Sequence, residues 1–173
     1  MLEVIDSLSG NYTYMPKDTN GNGCEKYIEI RHDTIADKQY MVQRSPIQLA
    51  SDSGLISLGI HLLPENGQVL TMLMYVKGAG TCIDKGTDIH ILFTDGSKLK
   101  LKNDHILNCK GLVSVHFGAV NNLIPLKQLK QKQIKTIRVS TNSSALVRDF
   151  DEATAETLRY SLECLTEGWK EEK

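Results

Sequence analysis

Two stretches of alternating apolar and polar residues, each doubling back at a glycine, carry the clearest structural signal in the chain. The first contains Ile56, Leu58, Ile60 and Leu62, followed by Leu70, Met72, Met74 and Val76. A two-residue turn at Asn66-Gly67 would split these side chains between two faces of a hairpin, because a one-residue slip turns a strand over. A three-residue loop of Glu65, Asn66 and Gly67 places all of them on one face. We therefore predict that loop, with Gly67 left-handed in a bulge.

The second hairpin follows the same logic. Ile89, Ile91 and Phe93 alternate before Thr94-Asp95-Gly96, and Ser97, Leu99 and Leu101 alternate after it. A three-residue loop with Gly96 left-handed sets Ile91 opposite Leu99 and pairs Asp88 with Lys102 on the outer face. The first hairpin is also apolar on much of its other face, so we expect it to lie nearer the centre of its sheet.

A single amphipathic helix is predicted at about residues 151–167. Its apolar stripe recurs at spacings of three and four and consists of Ala155, Leu158, Leu162, Leu165 and Trp169. Asp149 or Asp151 is expected to cap its start, and Gly168 to mark its end.

Weaker strand signals complete the pattern at residues 27–31, 40–43, 112–117 and 134–140. Pro46 indicates an edge or a connection. Residues 123–133 are predicted to form a polar connection with a helical turn after Pro125. The expected fold is α+β, mainly β, with residues 1–173 forming one domain. It is an antiparallel sandwich or open barrel of about eight strands closed by one C-terminal helix.

Composition narrows the class of protein. Of 173 residues, 40% are hydrophobic and 24% charged, which is typical of a globular domain. A net charge of −1 does not indicate nucleic-acid binding, and no apolar run reaches the roughly 20 residues of a membrane span. The N-terminus lacks the pattern of a signal peptide. We expect a cytoplasmic protein if Met1 is native, or an exported one if a signal peptide was removed.

The four cysteines, Cys24, Cys82, Cys109 and Cys164, form no C-x-x-C pair, so a zinc ribbon or redox motif is not indicated. They allow three disulfide pairings. A buried free thiol is the preferred interpretation of Cys164. Cys82 and Cys109 could pair in an exported protein, although free thiols are the default expectation.

Residues 84–165 resemble β-rich domains of uncharacterised proteins from Bacteroides-group bacteria. The resemblance rests on Lys85-Gly86 before a strand, Thr94-Asp95-Gly96 in its turn, the run I-K-T-I-R-V at residues 134–139, and the helix end Leu162-Glu163-Cys164-Leu165. It covers about half of the chain and implies a β-rich domain with a C-terminal helix, without any functional residue.

One motif suggests a metal site. Asp18, Asn20 and Asn22, with Gly23 and a later Glu29, fit the calcium-loop pattern D-x-[DN]-x-[DN]-G-x5-E. The flanking residues do not form a helical pattern, however, and a Gly/Asn-rich hairpin loop requires the same residue types. Calcium is therefore kept as a candidate cofactor at Asp18, Asn20, Asn22 and Glu29.

The remaining polar residues define no catalytic motif. None of the five histidines shows the spacing of a metal-binding helix, and G-x-S-x-G is absent. A site could still assemble from distant residues such as Ser57 and His61. Gly78-Ala79-Gly80 is followed by a strand signal rather than a helix, which disfavours a phosphate loop. Lys98, Lys100 and Lys102 are interpreted as protection of a sheet edge rather than as an anion site.

We therefore expect a non-enzymatic binding or protein-interaction module, which binds a protein partner or forms a homo-oligomer. The alternatives are a hydrolase-like enzyme with a site assembled from dispersed Asp, His and Ser residues, and a calcium-stabilised binding domain.

Overall fold

The computed structural model describes residues 2–4, 23–63, 69–78, 82–118 and 122–166. Its strands are β1 (Leu2–Val4), β2 (Ile28–Asp33), β3 (Lys38–Gln43), β4 (Ile47–Ser51), β5 (Gly54–Leu63), β6 (Val69–Lys77), β7 (Asp88–Phe93), β8 (Lys98–Lys102), β9 (Leu112–Gly118), β10 (Ile134–Ser140) and β11 (Ala145–Asp149). Two α-helices, α1 (Leu123–Gln131) and α2 (Glu152–Leu165), and a 3-10 turn at Cys24–Lys26 complete it. The described chain thus has eleven strands, where about eight were expected.

All of these strands pair antiparallel in two open sheets, which confirms the mainly β fold with a C-terminal helix. The large sheet has the order β1-β2-β3-β5-β6-β9, with β4 also paired to β5. The small sheet has the order β11-β10-β7-β8. One core contains buried apolar side chains from both sheets and both helices. The two sheets therefore belong to one packed unit.

The first predicted hairpin forms the middle of the large sheet. Leu62 pairs with Leu70, Ile60 with Met72 and Leu58 with Met74, which confirms the predicted register. All six side chains are buried. The loop itself, including Gly67, lies outside the described residues.

The second hairpin confirms both the register and the turn. Ile91 pairs with Leu99, and Asp88 with Lys102. The amide of Gly96 donates to the carbonyl oxygen of Phe93 at 3.0 Å, and Gly96 has φ of +84°. That left-handed conformation is one that glycine adopts without the steric cost of a side chain.

Pro46 interrupts what would otherwise be one strand beside β5. Before it, Met41 pairs with Leu62; after it, Ile47 pairs with Leu58. In an antiparallel pair the two residue numbers add to a constant, which is 103 for β3 with β5 and 105 for β4 with β5. Two extra residues are therefore accommodated between β3 and β4. A proline lacks the N–H that ladder pairing needs, which confirms the predicted interruption.

Helix α2 packs on β2, β3 and β5, and also contacts α1. Asp151 caps it, since its carboxylate accepts the amide of Thr154 at 2.7 Å. Ala155, Leu158, Leu162 and Leu165 are buried as predicted, whereas Trp169 and Gly168 lie outside the described residues. The polar connection predicted at residues 123–133 is instead a nine-residue helix, α1, because Leu126 and Leu129 are buried on one side of it.

The expectation of free thiols is wrong. Cys24 is bonded to Cys164, and Cys82 to Cys109. The first pair is 140 residues apart in sequence, with Cα atoms 5.7 Å apart. It forms because α2 packs against the turn that carries Cys24. Sequence patterns alone could not select it from the three pairings.

Candidate functional site

Exposed apolar side chains occupy part of the outer face of the large sheet, where β6 meets β9. Tyr75 stands opposite Leu112, and Leu73 stands opposite Gly59. A Cβ atom added at Gly59 would meet nothing within 4 Å. Because Gly59 has no side chain, the space beside Leu73 on this face is open.

The loop after β8 extends this apolar surface with Ile106 and Leu107. Asn108 holds the loop against β9, because its Nδ2 donates to the carbonyl oxygens of Ile106 (3.2 Å) and Leu112 (2.8 Å). We call Leu73, Tyr75, Ile106, Leu107 and Leu112 the apolar patch. Its members are between 38% and 71% exposed. Exposed large apolar residues grouped on and beside one strand are typical of an interaction site.

Polar side chains of the same segment seal the free edge of β9. The amides of Leu112, Ser114 and His116 donate to Asn108 (2.9 Å), Asn103 (3.1 Å) and Asp104 (2.9 Å), respectively. The carbonyl oxygens of the same three residues accept from Asn108, from the amide of Asp104 and from Asn122. All six outward backbone groups of Leu112, Ser114 and His116 therefore have partners, so another strand cannot pair along these residues without displacing them. No sequence motif indicated this role.

Two of the five histidines come together on the outer face. His61, Thr71 and His116 form one row across β5, β6 and β9. Partial burial, with a smaller contribution from the nearby charge of His116, lowers the pKa of His61. The ring of Tyr40 lies edge-on to His61, with 6.3 Å between ring centroids.

This row lacks the contacts of a hydrolytic site. The Nδ1 of His116 lies 3.2 Å from the Asp104 carboxylate, which is the arrangement of an oriented base. Within the described residues, however, no serine or threonine hydroxyl is hydrogen-bonded to a histidine ring. Ser57 and His61 share a strand face but are four residues apart, or about 13 Å, and Ser57 accepts a hydrogen bond from Gln48 instead.

The candidate calcium ligands Asp18, Asn20 and Asn22 lie outside the described residues. Glu29, the fourth, is on β2 with its side chain only 8% exposed. Its Oε1 accepts from Nε of Arg31 at 2.6 Å, and its Oε2 lies 3.5 Å from Nη1 of Arg44. The negative charge of Glu29 is thus already compensated by two guanidinium groups. Elsewhere in the described chain, no three His, Cys, Asp or Glu side chains gather as metal ligands.

The outer face of the small sheet is polar and carries the lysine group. Lys100 and Lys102 both contact Asp88, Lys100 at 2.9 Å. Hydrogen bonds from Lys102 and then Lys100 lower the pKa of Asp88 to about 2. His90 is exposed opposite Lys100, and Arg138 of β10 stands on its other side.

The other candidates contribute no site. Of Gly78-Ala79-Gly80, only Gly78 is described, at the end of β6. His32 faces Asp37 at 2.9 Å, and His105 contacts the carbonyl oxygen of Ile106. Neither described helix is both long and apolar enough to cross a membrane.

This chain matches no protein-family model, no curated protein and no solved structure. The resemblance of residues 84–165 to bacterial β-rich domains therefore stays a prediction. The candidate site is therefore defined only by the geometry of the described residues, and its main feature is the apolar patch with its five exposed side chains.

Proposed function

We propose that this protein is a non-enzymatic interaction module that binds another protein through the apolar patch. The observation that carries the proposal is the exposure of Tyr75 and Leu112 as a direct cross-strand pair within that patch. Aromatic and large aliphatic side chains supply most of the binding energy in protein interfaces. In an isolated chain in water, the exposure of such side chains contributes no stabilising free energy.

The support of the patch is rigid, which favours binding without rearrangement. Tyr75 and Leu112 lie on paired strands whose opposite faces are in the core. The loop that bears Ile106 and Leu107 is held by the hydrogen bonds of Asn108 and by the Cys82–Cys109 disulfide. A preorganised surface loses little conformational entropy when a partner binds.

The two disulfides favour an oxidising compartment for this interaction. Disulfides persist in secreted, periplasmic or surface proteins and are rare in reducing cytosol. Of the two localisations that the sequence left open, the exported one is therefore the better supported.

Charge substitution in the patch tests the proposal. We expect a Tyr75→Lys, Leu112→Lys variant to lose the partner proteins that the wild type retains from an extract of the source organism. A Leu123→Lys, Ile124→Lys variant is the matched control, since Leu123 and Ile124 are 48% and 74% exposed but lie on α1. It should retain the same partners.

Light scattering over a range of protein concentrations gives the second measurement. A mass that doubles for the wild type and the control, but not for the patch variant, would identify the partner as a second copy of the chain. If the patch variant keeps both its partners and its mass while folding normally, the proposal is wrong.

A further inference from the structure

Strand β8 forms one of the two edges of the small sheet. The amide of Phe93 donates to the carbonyl oxygen of Ser97 at 2.9 Å, so odd-numbered residues of β8 bond inward to β7. The N–H and C=O groups of Lys98, Lys100 and Lys102 therefore point away from the sheet. Within the described residues nothing forms a hydrogen bond with them.

This open edge contrasts with the edge of β9. There, side chains of Asn103, Asp104, Asn108 and Asn122, together with the amide of Asp104, bond to the six outward backbone groups of Leu112, Ser114 and His116. No described residue caps β8 in this way, although an exposed edge is a template for pairing with another chain.

The side chains of β8 select what can pair there. Its three lysines are exposed on the outer face, whereas Leu99 and Leu101 are buried on the inner face. Asp88 compensates Lys100 and Lys102, but Lys98 has no carboxylate partner in the described chain. Like charges placed opposite each other destabilise a strand pair, while opposite charges stabilise it. A second β8 is therefore repelled and an acidic strand is attracted.

We propose that β8 is a strand-addition site for an extended acidic segment of another protein, with carboxylates at alternate positions facing Lys98, Lys100 and Lys102. Backbone hydrogen bonds to the outward groups of the lysines provide affinity, and the alternate side chains provide specificity. Apolar residues between the carboxylates extend the inner face beside Leu99 and Leu101. Edge protection by lysines is compatible with this role, because it prevents pairing only between copies of this chain. The site is independent of the apolar patch.

A synthetic peptide tests the proposal. A fluorescein-labelled peptide with the sequence Thr-Glu-Val-Glu-Ile-Glu-Thr is titrated with the oxidised full chain, and binding is followed by fluorescence anisotropy. A second peptide carries N-methyl groups on the amides that would pair with β8. We expect the first peptide to bind and the second to bind at least about tenfold more weakly, since each lost backbone hydrogen bond removes affinity. Equal binding of the two peptides would show attraction by charge alone and overturn the proposal.

Charge reversal provides the matched variants. A Lys98→Glu, Lys100→Glu variant should bind the acidic peptide at least about tenfold more weakly, because like charges then face each other. It should bind the corresponding peptide with lysine in place of glutamate. A Lys77→Glu, Lys127→Glu variant makes the same change of net charge on β6 and α1, and should bind like the wild type.

Hydrogen exchange locates the peptide. On binding, the amides of Lys98, Lys100 and Lys102 should become protected, whereas those of Leu99 and Leu101, already paired to β7, should not change. If the acidic peptide fails to bind, or binds without protecting those three amides, the proposal is wrong. These outcomes do not depend on whether the apolar patch binds a partner, so the two proposals are tested separately.

Discussion

The side-chain amide of Asn108 pairs with Leu112 as a neighbouring strand would. Its Oδ1 accepts the amide of Leu112 at 2.9 Å, and its Nδ2 donates to the carbonyl oxygen of the same residue at 2.8 Å. One side chain thus satisfies two edge groups of β9 and positions the loop that bears Ile106. The edge of the sheet and the apolar patch therefore depend on the same residue.

Removing this amide should open the edge. In an Asn108→Ala variant we expect hydrogen exchange at Leu112 to accelerate and the free energy of unfolding to fall by about 1 kcal/mol, because exposed groups can partly bond to water. Asn108→Asp retains the acceptor for the Leu112 amide but lacks the donor, so it should protect that amide better than alanine does. Exchange at Leu112 that is identical in all three proteins would contradict this role.

The two disulfides should differ in their resistance to reduction. Cys109 is exposed and Cys82 half-buried, whereas Cys24 and Cys164 are both buried. Limited dithiothreitol followed by alkylation and mass spectrometry should therefore label Cys82 and Cys109 first, since exchange requires access to the sulfur. Simultaneous labelling of all four cysteines would show that burial does not protect the second pair.

Loss of the buried disulfide should be costly. Serine at both Cys24 and Cys164 should lower the free energy of unfolding by about 2–5 kcal/mol, because the bond closes a long loop in the unfolded chain. Thermal unfolding of this variant, compared with the wild type under oxidising conditions, gives the measurement. An unchanged melting temperature would refute the expected contribution.

His61 should titrate below the ordinary histidine value of 6.5, because burial and then the charge of His116 oppose its protonation. The unfolded chain then binds more protons than the folded one between the lowered folded pKa and the unfolded value. Stability therefore rises with pH through that window and falls on acidification. NMR titration of the imidazole protons measures the pKa. A His116→Gln variant should raise it, and a pKa of His61 at or above 6.5 in the wild type would contradict the burial argument.

Two glycines should respond oppositely to alanine. Gly96→Ala should cost about 1–2 kcal/mol, because a side chain at its positive φ meets steric strain. Gly59 lies within β5 with open space around it, so Gly59→Ala should stabilise the fold by about 0.5–1 kcal/mol. Chemical denaturation measures both changes. A stabilising Gly96→Ala would show that the turn tolerates another conformation.

Much of the core followed from local pattern. The registers of both hairpins were predictable because a slip of one residue would have exposed Ile60 and Ile91. The start of α2 at Asp151 was predictable because its capping contacts are local. Helix α1 was predicted only as a helical turn after Pro125, because just Leu126 and Leu129 form its buried side. Strand β11 was missed because it is short and mixed in polarity.

The candidate site was less predictable. Leu73 and Tyr75 were recognisable as a second apolar face, but nothing in the sequence placed Ile106 and Leu107 beside them. Asn103, Asp104 and Asn108 resembled ordinary loop residues, because Asn and Asp are common in turns. No particular spacing distinguishes the residues that cap a strand edge from those that only form a turn. The proposed strand-addition site required the strand order, which hydrophobic periodicity does not encode.

Local apolar pattern was enough to establish which faces are buried, since a strand or helix must hide its apolar side whatever its neighbours are. It therefore determined the mainly β class, the two hairpin registers and the inward stripe of α2. The folded chain was needed to establish the strand order, the pairing of Cys24 with Cys164, the seal on β9 and the unpaired edge of β8. The disulfide joins residues far apart in the chain, and the seal on β9 requires neighbouring loops to fold back onto the strand. Both depend on the packing of whole elements rather than on local pattern.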